Sequence, residues 1–149
     1  MDFGRIHCFI ATTKFGEVLY ERFYDRLTEQ EKADIRCSFK FASSNVRLKD
    51  GQDLVGTYKL ARFVFVPYND VQFFMMGSGE YDELALSDSI KVIIKTFSEM
   101  LGKGFTSDVL LDKYHRLCLV VDEVVNEGLL ENTEIEAIKK GIKSKGVWE

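Results

Sequence analysis

Leu110-Leu111-Asp112-Lys113-Tyr114-His115-Arg116-Leu117-Cys118-Leu119-Val120-Val121-Asp122-Glu123-Val124-Val125-Asn126-Glu127-Gly128 is the stretch whose reading decides the fold. Leu110, Tyr114, Leu117, Val121 and Val124 recur at helical spacing, and Leu111, Cys118 and Val125 widen the same face. This spacing predicts one amphipathic helix with a broad apolar stripe, stopped by Gly128 in the left-handed conformation that closes helices. Asp112, Arg116, Glu123 and Glu127 fall on the opposite face, and Leu119 interrupts them. A leucine among charges marks a second contact surface. Leu119, Val120 beside it and Glu123 one turn on are the candidate partner-binding residues. Single exposed leucines are common, so the fold has to test that assignment.

Upstream, Ile6–Ala11 has strand formers on both parities and reads as a strand buried on both faces. Thr13-Lys14-Phe15-Gly16 turns the chain into a second strand over Glu17–Tyr24, giving an antiparallel hairpin. In that strand Leu19 and Phe23 share one face, and Val18, Tyr20 and Tyr24 the other. Thr28-Glu29-Gln30-Glu31 is a capping box opening a helix that buries Ile35, Phe39 and Ala42. Ser43–Asp53 is polar and reads as an exposed loop turning at Asp50-Gly51. Leu54–Tyr58, Ala61–Val66 and Val71–Met76 are three further strands, with Pro67 at the point where one must end.

A long helix follows, carrying Leu86, Ile90, Ile93, Ile94, Phe97 and Leu101, with Gly102 and Gly104 at its end. Thr106 or Ser107 caps the central helix. Asn132-Thr133 caps a last short helix with Ile135, Ile138 and Ile142, beyond which lysines crowd the terminus. The order is two strands, a helix, three strands, then two long helices. It predicts an α+β fold: a five-stranded antiparallel sheet, one helix on one face and the two long helices on the other. The 149 residues, 46% apolar, suit a single domain over 1–149 with a flexible tail over 143–149.

Charge and motifs exclude several function classes. A net charge of -4 gives no reason to expect nucleic-acid binding. No apolar run is long enough to span a bilayer, and Met1-Asp2-Phe3 opens no signal peptide. Cys8, Cys37 and Cys118 are odd in number and widely spaced, as free thiols of a reducing compartment are. His7 and His115 read as structural, and neither stands in a metal-ligand spacing. Gly77-Ser78-Gly79 lacks the third glycine of a dinucleotide fingerprint and reads as a chain reversal. Asp82-Glu83 and Asp122-Glu123 diverge by about a hundred degrees on a helix and form no acid/base dyad. No catalytic residue, cofactor or metal is expected.

Four motifs in order carry a resemblance. Gly16-Glu17-Val18-Leu19-Tyr20-Glu21-Arg22-Phe23-Tyr24, Tyr58-Lys59-Leu60-Ala61-Arg62-Phe63, Gly77-Ser78 with Asp82-Glu83-Leu84, and Leu119–Glu131 with its Val-Asp-Glu, glycine and Leu-Glu signature are the stretches concerned. Over roughly Ile6–Ile142 the chain resembles the longin-type small subunits of vesicle coats, the sigma chains of clathrin adaptors and the zeta chain of coatomer. It departs from sigma chains at Lys113-Tyr114-His115-Arg116 and Ser44-Asn45-Val46-Arg47. These departures point to a divergent relative of the kind found in the TSET (TPLATE) complex.

The resemblance implies a longin-like fold and a non-enzymatic role in vesicle-mediated protein transport, endocytosis included. It implies a large adaptin-like chain and a medium chain as partners. The location would be cytoplasmic, with indirect or peripheral recruitment to the plasma membrane or to Golgi and endosomal membranes. It also implies a pocket for acidic dileucine sorting peptides near Ile94, Phe105 and Leu110. Phe105 would narrow that pocket, so binding is expected to be weak or absent. The alternative is a longin-fold subunit of a tethering or nucleotide-exchange complex acting on small GTPases.

Overall fold

Strand β1, Ile6–Thr13, is buried along nearly its whole length. The computed structural model describes residues 4–44, 46–146 and 148. The opening Met1-Asp2-Phe3, Asn45 of the sigma-type departure, and Val147 and Glu149 of the tail lie outside them. The other strands are β2 Val18–Phe23, β3 Leu54–Tyr58, β4 Ala61–Tyr68 and β5 Val71–Gly77. All neighbours pair antiparallel in the order β2-β1-β5-β4-β3. The expected five-stranded antiparallel sheet is therefore present.

Successive side chains of a strand point to opposite faces, and β1 buries both. Phe9 and Ala11, opposite Met75 and Phe73, face the larger core. Cys8 and Ile10 face a smaller one beneath helix α1, Glu29–Ser44. There Phe39 stacks on Phe74 at 4.8 Å and tilts against Phe63 at 4.7 Å. The capping box forms as expected. Glu31 N–H donates to Thr28 Oγ1 and Thr28 N–H to Glu31 Oε1, each at 3.1 Å.

On the opposite face lies α2, Glu83–Leu101. Asp82 caps it, accepting from Ala85 N–H at 2.9 Å, and Gly102 closes it at φ 79°. The predicted single central helix is two helices, α3 Ser107–Asp112 and α4 Tyr114–Val124, broken at Lys113 (φ -108°, ψ 28°). The break lets α3 follow the edge strand β2 while α4 turns along α2 and the last helix. Leu111 and Tyr114, assigned to the apolar stripe, are consequently exposed.

Gly128 does not stop the helix either. The chain leaves helical geometry at Val125 and forms a hairpin, β6 Val125–Asn126 and β7 Leu129–Leu130. Glu127 and Gly128 both take positive φ, 51° and 84°, the signature of a type I′ turn. The last helix, α5 Ile135–Ser144, buries Ile138 and Ile142 against α2 and α4. Of the residues assigned to a flexible tail, Lys143 and Ser144 belong to α5, and Trp148 lies partly buried on the larger core.

Two local details differ from the sequence reading. The β1–β2 register slips between Ala11 and Thr12, so that Tyr20 pairs with Ala11 and Val18 with Thr12. Leu19 is the extra residue of this bulge. Leu19 and Tyr20 therefore both enter the larger core, while Phe23 packs on the smaller. Pro67 does not end β4. It lies inside the strand opposite Gln72, beyond Phe65, where pairing with β3 has stopped. The outer edge there needs no donor, and an edge tolerates proline.

No hydroxyl of its own caps α3. Asp70, in the β4–β5 turn, accepts from Ser107 N–H at 2.8 Å and from Ser107 Oγ at 2.5 Å. The Ser107 hydroxyl, with its backbone N–H, holds the Asp70 carboxyl below the usual carboxylate range. A carboxyl depressed in the folded state stabilises at pH above its unfolded value and loses that contribution as pH falls through the folded one. Asp70→Ala is expected to cost about 1 kcal/mol at neutral pH. In urea titrations over a pH series, its difference from the wild-type chain should shrink below about pH 4.

Candidate partner and cargo surfaces

Helix α4 buries Leu117, Val120, Val121 and Val124. Val120, assigned to the partner patch, is fully inside the core and offers nothing to a partner. Its position on the helix continues the buried row of Leu117, Val121 and Val124, which the sequence reading had closed one residue short. Leu119 is half-buried, packed on the larger core with its outer part at the surface. Glu123 is engaged within the chain. It pairs with Lys145, and its carboxylate lies against Gly141 of α5, where an added Cβ would come within 2.8 Å of Oε2. Asp122 in turn meets Arg22 of β2 at 3.3 Å. Of the three assigned residues, Leu119 alone combines apolar surface with access.

The rest of the signature forms a clasp. Ile6 N–H donates to Gly128 C=O at 2.6 Å, joining the β6–β7 hairpin to the start of β1. A Cβ on Gly128 would stand 2.9 Å from Ile6 O and 2.7 Å from an Arg5 guanidinium nitrogen. Leu130 N–H donates to Tyr81 Oη at 3.1 Å, and Glu131 N–H to Val124 C=O at 2.9 Å. Glycine is needed here for its positive φ and for this close approach.

The assigned dileucine pocket does not assemble between the two helices. Leu110 and Phe105 are wholly buried. Phe105 packs on Tyr68 at 4.5 Å and Phe97 at 4.9 Å, and its carbonyl accepts from Asn69 Nδ2 at 2.8 Å. Pinning of the segment before α3 to the β4–β5 turn draws both side chains inward. Ile94 does line a groove, of about 470 Å³, but between α2 and β4, with Val66, Pro67 and Tyr68 as its wall and Lys91 and Lys95 at its rim.

Other polar groups hold the fold. His7 bonds Asp25 through Nδ1 and Ser78 Oγ through Nε2 at 2.9 Å, at the edge of a cleft of about 460 Å³ beside α1. Asp25 is also ion-paired with Arg5 at 2.6 Å, so its charge is shared with a cation rather than reserved for the imidazole. The arrangement ties β1 to the end of β5 and to the loop before α1. His115, read as structural, lies exposed on α4. Burial raises the thiol pKa of Cys8, and burial with nearby Asp122 raises that of Cys118, so neither favours the reactive thiolate. No helix among the described residues is long and apolar enough to cross a membrane.

The profile of the family described as clathrin adaptor complex small chain matches residues 5–147. The chain belongs to that family. Its relatives include TSET complex member tstD of Dictyostelium discoideum, 26% identical over 137 residues, covering 90% of this chain and 89% of the relative. Coatomer subunit zeta-1 of Homo sapiens is 25% identical over 137 residues, covering 88% and 72%. In structure, a chain from a homology model of the full-length AP-3 complex in a stretched open conformation superposes with a TM-score of 0.64 at 17% identity. The match covers 95% of this chain and 93% of that one, which establishes the shared longin-like fold. These relatives are coat and adaptor subunits, and they lend no support to the tethering alternative.

For this small chain the signature at 119–131 is thus a folding device. Gly128→Ala forces a side chain into a left-handed turn and against the Ile6 carbonyl. A loss of at least about 1–2 kcal/mol is expected. Thermal or denaturant unfolding of the purified variant measures it.

Proposed function

We propose that this chain is the non-catalytic small subunit of a heteromeric vesicle-coat complex, supporting a large chain and standing beside a medium chain. The family match over residues 5–147 carries this reading. The likeness to TSET and coatomer subunits supports a coat-type assembly acting in vesicle traffic and recruited to a membrane such as the plasma membrane or a Golgi or endosomal membrane. The fold supports a scaffolding role. Its α3–α4 face carries accessible apolar side chains at Leu111, Tyr114 and Leu119.

Exposed apolar area on a folded domain marks a partner site. Leu119→Asp and Leu111→Asp each place a carboxylate where a large chain would cover it, and a buried unpaired charge is costly. Both variants are expected to reduce recovery of the large chain in co-purification at least about tenfold, with a circular dichroism spectrum like the wild type. Full recovery with both variants would remove this face from the assembly.

A sorting-peptide role would fall on the Ile94 groove, since Phe105 and Leu110 supply no wall. Two leucines need two apolar seats, each worth roughly 1.5–3 kcal/mol on full burial, and one groove wall supplies little more than one. Titration of an acidic dileucine peptide against the assembled complex is expected to give binding weaker than micromolar. Micromolar binding lost in Ile94→Ser would place cargo recognition in this groove.

A further inference from the structure

At the end of the sheet opposite the clasp, the β1–β2 turn, the β4–β5 turn, the end of α1 and the loop after it surround a polar cleft of about 470 Å³. Lys14, Arg47 and Lys49 line it. Lys40 is outside its lining but close by, lying against Gly16 in the same turn as Lys14. All four cations are exposed, and none has a carboxylate within ion-pair distance among the described residues. Asp50 lines the cleft as well and Asp70 is near enough to Lys14 to attract it, but the four cations outnumber them. Asp50 accepts from Asn69 N–H at 3.1 and 3.2 Å, and Asp70 holds the start of α3. The hydroxyls of Ser43 and Ser44 donate to carbonyls of the last turns of α1, at Lys40 and Phe41, and so blunt the negative end of that helix.

Two exposed aromatic side chains are next in sequence to two of these cations. Phe15 follows Lys14 and is 80% exposed, and Phe41 follows Lys40 and is 74% exposed. Bare phenylalanines cost solvation in water and gain it in the boundary between headgroups and acyl chains. Cations alone would suit any phosphate. Cations flanked by two exposed phenylalanines suit a phosphate fixed to an apolar phase.

We propose that this cleft is a direct membrane contact, in which Lys14, Lys40, Arg47 and Lys49 take the phosphates of a multiply phosphorylated lipid headgroup while Phe15 and Phe41 enter the interface. The terminal lysines are a weaker candidate, because Lys139 and Lys145 are already paired with Glu99 and Glu123. The inference deepens the membrane recruitment proposed above and rests on it. It assigns to the small chain itself a contact that recruitment through partners alone would not require.

Flotation of the full chain with phosphatidylcholine vesicles, with or without phosphatidylserine or phosphatidylinositol 4,5-bisphosphate, tests it. Binding is expected with the bisphosphate lipid above the serine lipid, and not with phosphatidylcholine alone. Each basic residue near an anionic surface is worth about 1 kcal/mol, so the Arg47→Glu/Lys49→Glu double variant should lose at least about tenfold in partitioning. Phe15→Ser should weaken vesicle binding while leaving soluble inositol hexakisphosphate binding unchanged. Three results would overturn the proposal: binding of the soluble phosphate with no vesicle binding, competition by a phosphopeptide with no vesicle binding, or equal loss in a Lys140→Glu/Lys143→Glu control. Co-purification of the large chain by the Arg47→Glu/Lys49→Glu variant separates the two readings. Its retention leaves assembly intact whichever way the vesicle result falls.

Discussion

Strand β1 has to bury both of its faces, and the rest of the structure depends on that. Phe9 and Ile10 point in opposite directions, and both are essentially without solvent exposure. Each large apolar side chain is worth roughly 1.5–3 kcal/mol when fully buried. A sheet with helices on one side only would give up half of that along β1 and again along β5, where Phe73 and Phe74 also face opposite ways. Cover on both faces follows. One helix suffices for the smaller face because aromatic rings, Phe39, Phe63, Phe65 and Phe74, fill it. The larger face takes α2, α3, α4 and α5.

Burial on this scale leaves polar backbone to satisfy at the ends of the sheet. At the clasp end the chain solves this with its own distant parts. Gly128 and Ile6 share a backbone bond, Ser78 N–H donates to Arg5 C=O at 3.0 Å, and Arg5 donates to the Tyr24 carbonyl at 2.8 Å. His7, Asp25 and Ser78 join the same network. The family signature in the 119–131 stretch belongs to it. Its glycine makes the turn, its Asp-Glu pair reaches β2 and α5, and its Leu130 N–H donates to the Tyr81 hydroxyl. The 119–131 stretch thus answers to a requirement of the fold, while the outer part of Leu119 stays at the surface.

The sequence made some of this legible and concealed the rest for identifiable reasons. Patterns confined to a few neighbouring residues read correctly: the capping box at Thr28, the stripe of α2 with its Gly102 stop, and the first hairpin. What failed depended on contacts from far away. Nothing local to Lys113 announces a break, because the break comes from α3 being held by Asp70 and the edge of β2, 37 and more residues back. Gly128 looked like a helix stop because a glycine at the end of an apolar stripe serves that use and a type I′ turn equally well. Glu127 at positive φ is what distinguishes them, and composition does not show it. The bulge at Leu19 flipped a strand parity, and the free edge beyond Phe65 let a proline stay in β4. In the candidate site Val120 was missed because the apolar stripe was closed one residue short, and Leu110 and Phe105 were placed at a pocket by resemblance although the segment before α3 turns both into the core.

The two ends of the sheet also differ in the charge they show to solvent, and the difference has a local origin. Turns and helix starts present unpaired N–H groups, which need acceptors. At the end away from the clasp, Asp50 serves Asn69, Asp70 serves Ser107, and the Gln52 side chain accepts from Lys49 N–H at 2.8 Å. Carboxylates used in this way keep their charge, and Asp70 still attracts Lys14, but among the described residues none of them closes an ion pair with the lysines and arginine around them. A chain of net charge -4 can still carry a basic rim, because Lys14, Lys40, Arg47 and Lys49 outnumber Asp50 and Asp70 there. The acceptors fix the loops and leave the cations outward, so the positive field is as rigidly placed as the loops themselves. Function read from net charge alone would miss it, because the sign of a surface is set by the local balance of charges and not by the total.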